Sequence, residues 1–183
     1  MNDAWLEGLS TQCKARCSYE KTGQFWSVFL SPEDILQAAQ ALYDEDYFIE
    51  DVSVVDTADG FLVVYHFDRF GPTQRVTLRV LLPHDNPEVP SICSVFSGAD
   101  WHEREQHDFF GVVFTGHPNL IPLLLDPEED IHPLVKEDKK RKPLKDLMAP
   151  GEIVECDPDF DLFAGKEAGA EEEQQGDEEE AGE

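Results

Sequence analysis

Period-two alternation in two neighbouring stretches commits the middle of this chain to a β-sheet. In FLVVYHFD, from Phe61 to Asp68, the side chains of Phe61, Val63, Tyr65 and Phe67 fall on one face. In QRVTLRVLL, Val76, Leu78, Val80 and Leu82 face in, while Arg75, Thr77 and Arg79 face out. Asp59-Gly60 is a turn signal that joins the first stretch to an extended run from Tyr47 to Val55. Gly71-Pro72 lies in the connection between the two stretches, so three strands in meander are expected. Phe25 to Leu30 is a further apolar strand, Ile92 to Phe96 a short edge segment and Val112 to Phe114 a last short strand.

Helix signals are equally local. Ser31 can cap, Pro32 suits a first helical position, and Ile35, Ala38, Ala39 and Leu42 recur at helical spacing. A second helix runs from Asp100 to Phe110 and is stopped by Gly111, a residue free to take the left-handed conformation. Trp5, Leu6 and Leu9 share a helical face, so residues 1 to about 20 read as another helix. Beyond Gly116, Pro118, Pro122, Pro127, Pro133, Pro143 and Pro150 recur too often for a long helix or a central strand. The expected architecture is α+β, with a mostly antiparallel sheet carrying helices on one face. Its divisions are an α+β domain over 1–120, an extended partner-wrapping segment over 121–163 and a disordered acidic tail over 164–183.

Charge narrows the function. The chain of 183 residues has a formal net charge of −26. From Ala149 onward there are fourteen acids against one base, Lys166, so the last part alone contributes −13. Such a surface repels nucleic acid and anionic lipid. No apolar run reaches the length of a membrane span, and the amino terminus lacks a secretory pattern. Four cysteines without a framework point to free thiols in a reducing compartment, the cytoplasm being the simplest. Six bases, Lys136, Lys139, Lys140, Arg141, Lys142 and Lys145, gather in one short run.

The candidates for chemistry thin out on spacing. His102 and His107 are five apart, about 140° around a helix from each other, and cannot share a metal as a zinc-protease pair does. Cys13 and Cys17 could share a helical face, but Cys93 and Cys156 stand alone, short of a four-ligand site. His117-Pro118 and His132-Pro133 hold each histidine in extended chain but bring no nucleophile with them. Asp100, Arg104 and Asp108 form a ladder of alternating charge along the second helix, and Glu103 and His107 a parallel one. Exposed pairs of this kind contribute only about 0.3–0.5 kcal/mol each, so their density points to a charged docking face. Trp101, Phe109 and Phe110 would anchor that helix to the sheet or fill a partner's pocket.

The stretch DWHEREQHDFFGVVFTGHPNL, followed by IHPLVKED, resembles the signature of the NuoC-type, or 30-kDa, subunit of respiratory complex I. The matching residues are Trp101, Glu103, Arg104, Glu105, Asp108, Gly111, Phe114, Gly116, His117, Pro118 and Leu120, continued by His132, Pro133, Leu134 and Lys136. Ile121, Pro122, Ile131, Val135 and Glu137 depart from the family pattern. The resemblance implies a non-catalytic peripheral subunit of a quinone oxidoreductase, on the cytoplasmic side of the inner membrane and reaching it only through the complex. It implies no cofactor in this chain. Quinone, iron–sulfur clusters and, with NADH as donor, NADH and FMN would belong to partner subunits. The matching residues, with Asp100, would form the interface with NuoD-type and NuoB-type partners. The equivalent subunit of an energy-converting membrane-bound hydrogenase is the alternative that the same pattern allows.

Overall fold

A computed structural model describes residues 3–128, 131–148 and 155–156. Strands are β1 (Cys13–Arg16), β2 (Trp26–Phe29), β3 (Tyr47–Asp56), β4 (Phe61–Arg69), β5 (Val76–Leu82), β6 (Glu88–Pro90), β7 (Val113–Thr115) and β8 (Glu155–Cys156). Helices are α1 (Tyr19–Thr22), α2 (Ile35–Asp44) and α3 (Ala99–Phe110). Six strands form one sheet in the order β3-β4-β5-β2-β1-β8, and β6 and β7 form a separate parallel pair. Among the described residues, only the β2–β5 pairing in the large sheet is parallel. The fold is α+β with a mostly antiparallel sheet.

The alternation in β4 and β5 does what period two requires. Phe61, Val63, Tyr65, Phe67, Val76, Leu78, Val80 and Leu82 enter a core shared with Ile35, Ala38, Ala39 and Leu42 of α2 and with Ala99 and Phe110 of α3. Both long helices therefore cover one face of the sheet. β3 is an edge strand, and α3 lies against it. The Gln106 side-chain oxygen accepts the Val54 N–H at 3.1 Å, which closes part of that edge.

Four expectations need correction. The amino-terminal region is not a helix: a 3-10 turn at Ala4–Leu6 sets Trp5 in the core, and Cys13–Arg16 follows as a strand because β2 offers it an edge. Ile92 to Phe96 is a turn, with the Val95 and Phe96 N–H groups donating to the Ile92 carbonyl. The strand beside β7 is instead Glu88–Pro90. Thr77 and Arg79 point away from the main core as their parity demands, yet both are buried. That second face carries its own apolar cluster of Cys13, Phe29, Leu62, Val64 and Leu144, supplied in part by the returning carboxy-terminal segment. Arg79 accordingly stacks over the Phe29 ring and donates to the Ser27 hydroxyl. Finally, Cys13 and Cys156 are not free: antiparallel pairing of β1 with β8 sets them opposite each other, and they form a disulfide. A separation of 143 residues left no local trace of that pairing. Cys17 and Cys93 are half-buried and lie outside this disulfide.

Among the described residues, those from 117 to 148 form a strap without strands, relieved only by 3-10 turns at Asp138–Lys140 and Leu144–Asp146. The expected disordered tail over 164–183 lies outside the described residues. Among the described residues no helix is long and apolar enough to cross a membrane. At the β3–β4 turn, Gly60 has φ of +148°, and a Cβ there would sit 2.2 Å from the Leu82 carbonyl oxygen. Gly60→Ala is therefore expected to destabilise the fold by about 2–4 kcal/mol, read as a lower denaturation midpoint with unchanged slope.

Candidate functional site

The candidate site is α3 together with the strap that starts after β7. Gly111 closes α3 at φ +74°, its N–H donating to the His107 carbonyl at 2.9 Å. A Cβ at Gly111 would lie 2.8 Å from the His132 ring, so the glycine is required both by the backbone and by the strap packed on it.

Two of the helix carboxylates turn inward. Glu103 is fully buried and accepts from the Ser91 hydroxyl at 2.6 Å, the Ile92 N–H at 2.9 Å and the Cys93 thiol at 3.3 Å. Burial raises its pKa, and these donors with nearby His117 only partly offset the rise. Asp108 accepts the N–H groups of Leu123, Leu124 and Leu125 at 2.8, 2.8 and 3.2 Å. Burial pushes the Asp108 carboxyl up, but the three N–H donors and His107 outweigh it, and its pKa is lowered. The expected charge ladders are thus realised only at Asp100 and Arg104, 3.7 Å apart. Asp108 turns to the strap, Glu103 turns to the loop after β6, and His107 Nδ1 instead lies 2.9 Å from the Val112 carbonyl. The reason is energetic: a charge-assisted hydrogen bond to an otherwise unpaired backbone group contributes about 1.5–3 kcal/mol, several times an exposed ion pair.

Arg104 reaches the strap too, donating to the Ile121 and Pro122 carbonyls at 3.0 and 3.1 Å. His132 Nδ1 lies 2.8 Å from the Asp108 carbonyl, and the Leu134 N–H donates to the Phe109 carbonyl. Farther on, the strap is held by residues that local sequence patterns do not single out. The fully buried Asp56 carboxylate, at the end of β3, accepts the Lys136 N–H at 2.7 Å and pairs with Arg141 at 2.9 Å and with His84 at 2.8 Å. Burial raises the Asp56 pKa, but the Lys136 N–H, His84 and Arg141 prevail and lower it. Asp59 accepts the Leu144 N–H at 2.7 Å. These strap partners are 80 to 85 residues apart in sequence, beyond the reach of any spacing rule.

Cys93, Glu103 and His117 bring a sulfur, an oxygen and a nitrogen within 4.8 Å of one another. His117 Nδ1 accepts the Asn119 N–H at 3.0 Å, so Nε2 carries the hydrogen and offers it to the Asp100 carbonyl at 3.3 Å. Burial pushes the Cys93 thiol up to about 12, which keeps it protonated. The trio clamps three segments together.

The remaining signature residues divide between interior and surface. Phe114 is in the core, Leu120 packs against it and Gly116 is left-handed at φ +78°. Pro118, Pro133, Leu134 and Lys136 are exposed on the strap. Trp101 is 69% exposed, and with Glu105, His102, Ser97, Leu123 and Leu124 it lines an open groove of about 610 Å³. Phe110, by contrast, is in the core, edge-on to Phe61.

Acid should loosen the strap. Asp56 and Asp108 have lowered pKa values, so their stabilisation is complete above 3.8 and is lost as pH falls through their folded values. Glu103 has the opposite sign: its raised pKa favours the folded state as pH falls, and that contribution is lost as pH rises through its folded value. Limited proteolysis below pH 3.8 should therefore cut the strap before the sheet unfolds. Asp108→Ala should produce the same sensitivity at neutral pH, with a stability loss of about 3 kcal/mol.

Comparison with known proteins identifies the family of the chain. The family model described as "Respiratory-chain NADH dehydrogenase, 30 Kd subunit" matches residues 28–143. The chain is 40% identical over 118 residues to the C subunit of the NADH-quinone oxidoreductase of Roseiflexus castenholzii, covering 61% of this chain and 68% of that one. It is 44% identical over 80 residues to the C/D subunit of the NADH-quinone oxidoreductase of Shewanella woodyi, covering 44% of this chain and 13% of that longer one. Its fold is similar to a chain of the membrane-bound sulfane sulfur reductase, an archaeal respiratory membrane complex, with a TM-score of 0.61, 21% identity, and coverage of 79% of this chain and 85% of that one. Because the family match takes in the β3–β5 meander, all of α3 and the strap as far as Pro143, the chain belongs to the family of the 30 Kd subunit of respiratory-chain NADH dehydrogenase.

Proposed function

We propose that this chain is a cofactor-free peripheral subunit of a complex I-like quinone oxidoreductase that docks on a NuoD-type subunit. The observation that carries the reading is the exposed Trp101 beside its groove, on a helix whose opposite face is fully engaged inside the chain. A large aromatic left in water next to Leu124, itself 61% exposed, is the composition of an interface centre. Ile121, Ile131, Leu134 and Val135 continue the exposed apolar surface along the strap. The relative named as a C/D subunit supports the choice of partner, since one longer chain carries both letters. A NuoB-type iron–sulfur subunit would sit beyond the NuoD-type one, and the assembly would meet the membrane on its cytoplasmic side.

In this reading the signature residues have two separate duties. Glu103, Arg104, Asp108, Gly111, His117 and His132 hold the docking surface in shape from within. Trp101, Glu105, Pro118, Pro133, Leu134 and Lys136 present it. No step of electron transfer passes through this chain, whose side chains position a neighbour that handles quinone.

Trp101→Ala should leave the circular dichroism spectrum and denaturation midpoint unchanged and weaken binding to a co-expressed NuoD-type subunit by about thirtyfold, the loss typical of a central aromatic anchor. Unchanged affinity would remove the groove from the interface. Elemental analysis of the purified chain should find no stoichiometric iron or zinc.

A further inference from the structure

We propose that the Cys13–Cys156 pair is a thiol-controlled latch that fixes the far end of the strap to the sheet and so governs how firmly the strap is held. Among the described residues, the non-covalent attachment of β8 is slight. It pairs with β1 at two positions, Cys13 with Cys156 and Lys14 with Glu155. The Lys14–Glu155 ion pair, at 3.4 Å, is between side chains 38% and 70% exposed and is screened by solvent. A two-residue strand with one exposed ion pair does not hold a chain end against its own entropy. The disulfide does.

Its location gives the bond its consequence. Cys13 is buried with Phe29, Leu62, Val64 and Leu144, and Leu144 is the apolar foot by which the strap stands on the second face of the sheet. The ring closed by the disulfide spans a separation of 143 residues and contains the meander, α3 and the whole strap. With the bond intact the strap is anchored at both ends, through β7 and α3 at one and through β1 at the other. With the bond broken, the strap becomes a tail held, among the described residues, by non-covalent contacts with α3 and the β3–β4 turn, Arg104, Asp108, Asp56 and Asp59 among them, and by the seat of Leu144.

The chemistry is ordinary thiol–disulfide exchange with a dithiol reductant. A reductant thiolate attacks Sγ of Cys156, which is at the exposed position. The disulfide breaks, and its electron pair leaves on the Cys13 sulfur, which then takes a proton. The second reductant thiol attacks the mixed disulfide and releases Cys156 as a thiol, so two electrons and two protons pass to the pair and the reductant becomes a cyclic disulfide. Because the departing Cys13 thiolate is expelled into apolar surroundings, the step is slow while β8 stays seated. The latch can thus persist in a reducing compartment and still open to a strong dithiol. Its effect on partner docking rests on the function proposed above; the latch itself does not.

The full-length chain, purified without reductant, provides the test. Peptide mass mapping should find Cys13 and Cys156 in one cross-linked product. Trypsin should cut at Lys139, Lys140 or Arg141 about tenfold faster after dithiothreitol treatment, and equally fast in Cys156→Ser without it. A Cys17→Ser variant should keep the slow rate and its response to reductant. Alkylation of both Cys13 and Cys156 in the untreated, denatured chain would overturn the proposal, as would equal cleavage rates in oxidised and reduced protein. Affinity for the NuoD-type subunit is measured separately, so loss of docking with the protease difference intact would count against the docking reading only.

Discussion

A segment that makes no sheet ladder must still find acceptors for its backbone N–H groups, and in this chain aspartates provide them. Asp108 takes three consecutive strap N–H groups, Asp56 takes that of Lys136 and Asp59 that of Leu144. Buried unpaired N–H groups would each cost about 1–3 kcal/mol, so a strap rich in proline and without strands can lie on the body only where such acceptors wait. The rest of the arrangement follows from their placement. Asp108 is on α3, Asp56 and Asp59 flank the β3–β4 turn, and the strap therefore runs from the helix layer around one end of the meander to the second face. There Leu144 covers what would otherwise be the wet side of the sheet.

This economy explains why so much charge is concentrated on one helix. Read as a surface, alternating acids and bases suggest docking by complementarity. In the folded chain the strongest of them are engaged internally, because charge-assisted bonds to buried groups exceed exposed pairs severalfold. What is left outward is a tryptophan, a groove and the apolar crest of the strap. Internal charge and external aromatic surface are two halves of one construction, since the groove wall contributed by Leu123 and Leu124 is held by the same Asp108 carboxylate that faces inward.

Legibility followed locality. The meander, α2, α3 and the Gly111 stop could be read because each rests on neighbours within a few residues: alternation in β4 and β5, the Asp59-Gly60 turn, the helical spacing of Ile35, Ala38, Ala39 and Leu42. The strand at Cys13–Arg16 could not, because four residues carry too little pattern and its existence depends on the edge of β2. Nor could the burial of Thr77 and Arg79, whose parity is right but whose face of the sheet carries a second apolar cluster that Leu144, far along the chain, completes. The Cys13–Cys156 bond and the Asp56 cluster were hidden for the same reason. The α3 motif was visible as a motif, but spacing alone assigned Glu103 and Asp108 to the surface. Only side-chain direction separates an inward acid from an outward one on a short helix.

One thermodynamic consequence ties the strap to the proposed partner. A subunit that binds Trp101, Leu124 and Leu134 together recognises only the docked strap. Its binding energy therefore adds to whatever Asp108 and Asp56 supply, by an amount that grows with its concentration relative to its dissociation constant. By reciprocity, anything that loosens the strap lowers the partner's apparent affinity by the fraction of molecules in which the strap is seated. A lost carboxylate inside this chain would thus weaken the proposed interface without touching it. Mutations in Glu103 or Asp108 and mutations in Trp101 would then share an assembly defect while differing in the stability of the isolated chain. That difference, rather than the defect itself, distinguishes a residue that shapes the surface from one that forms it.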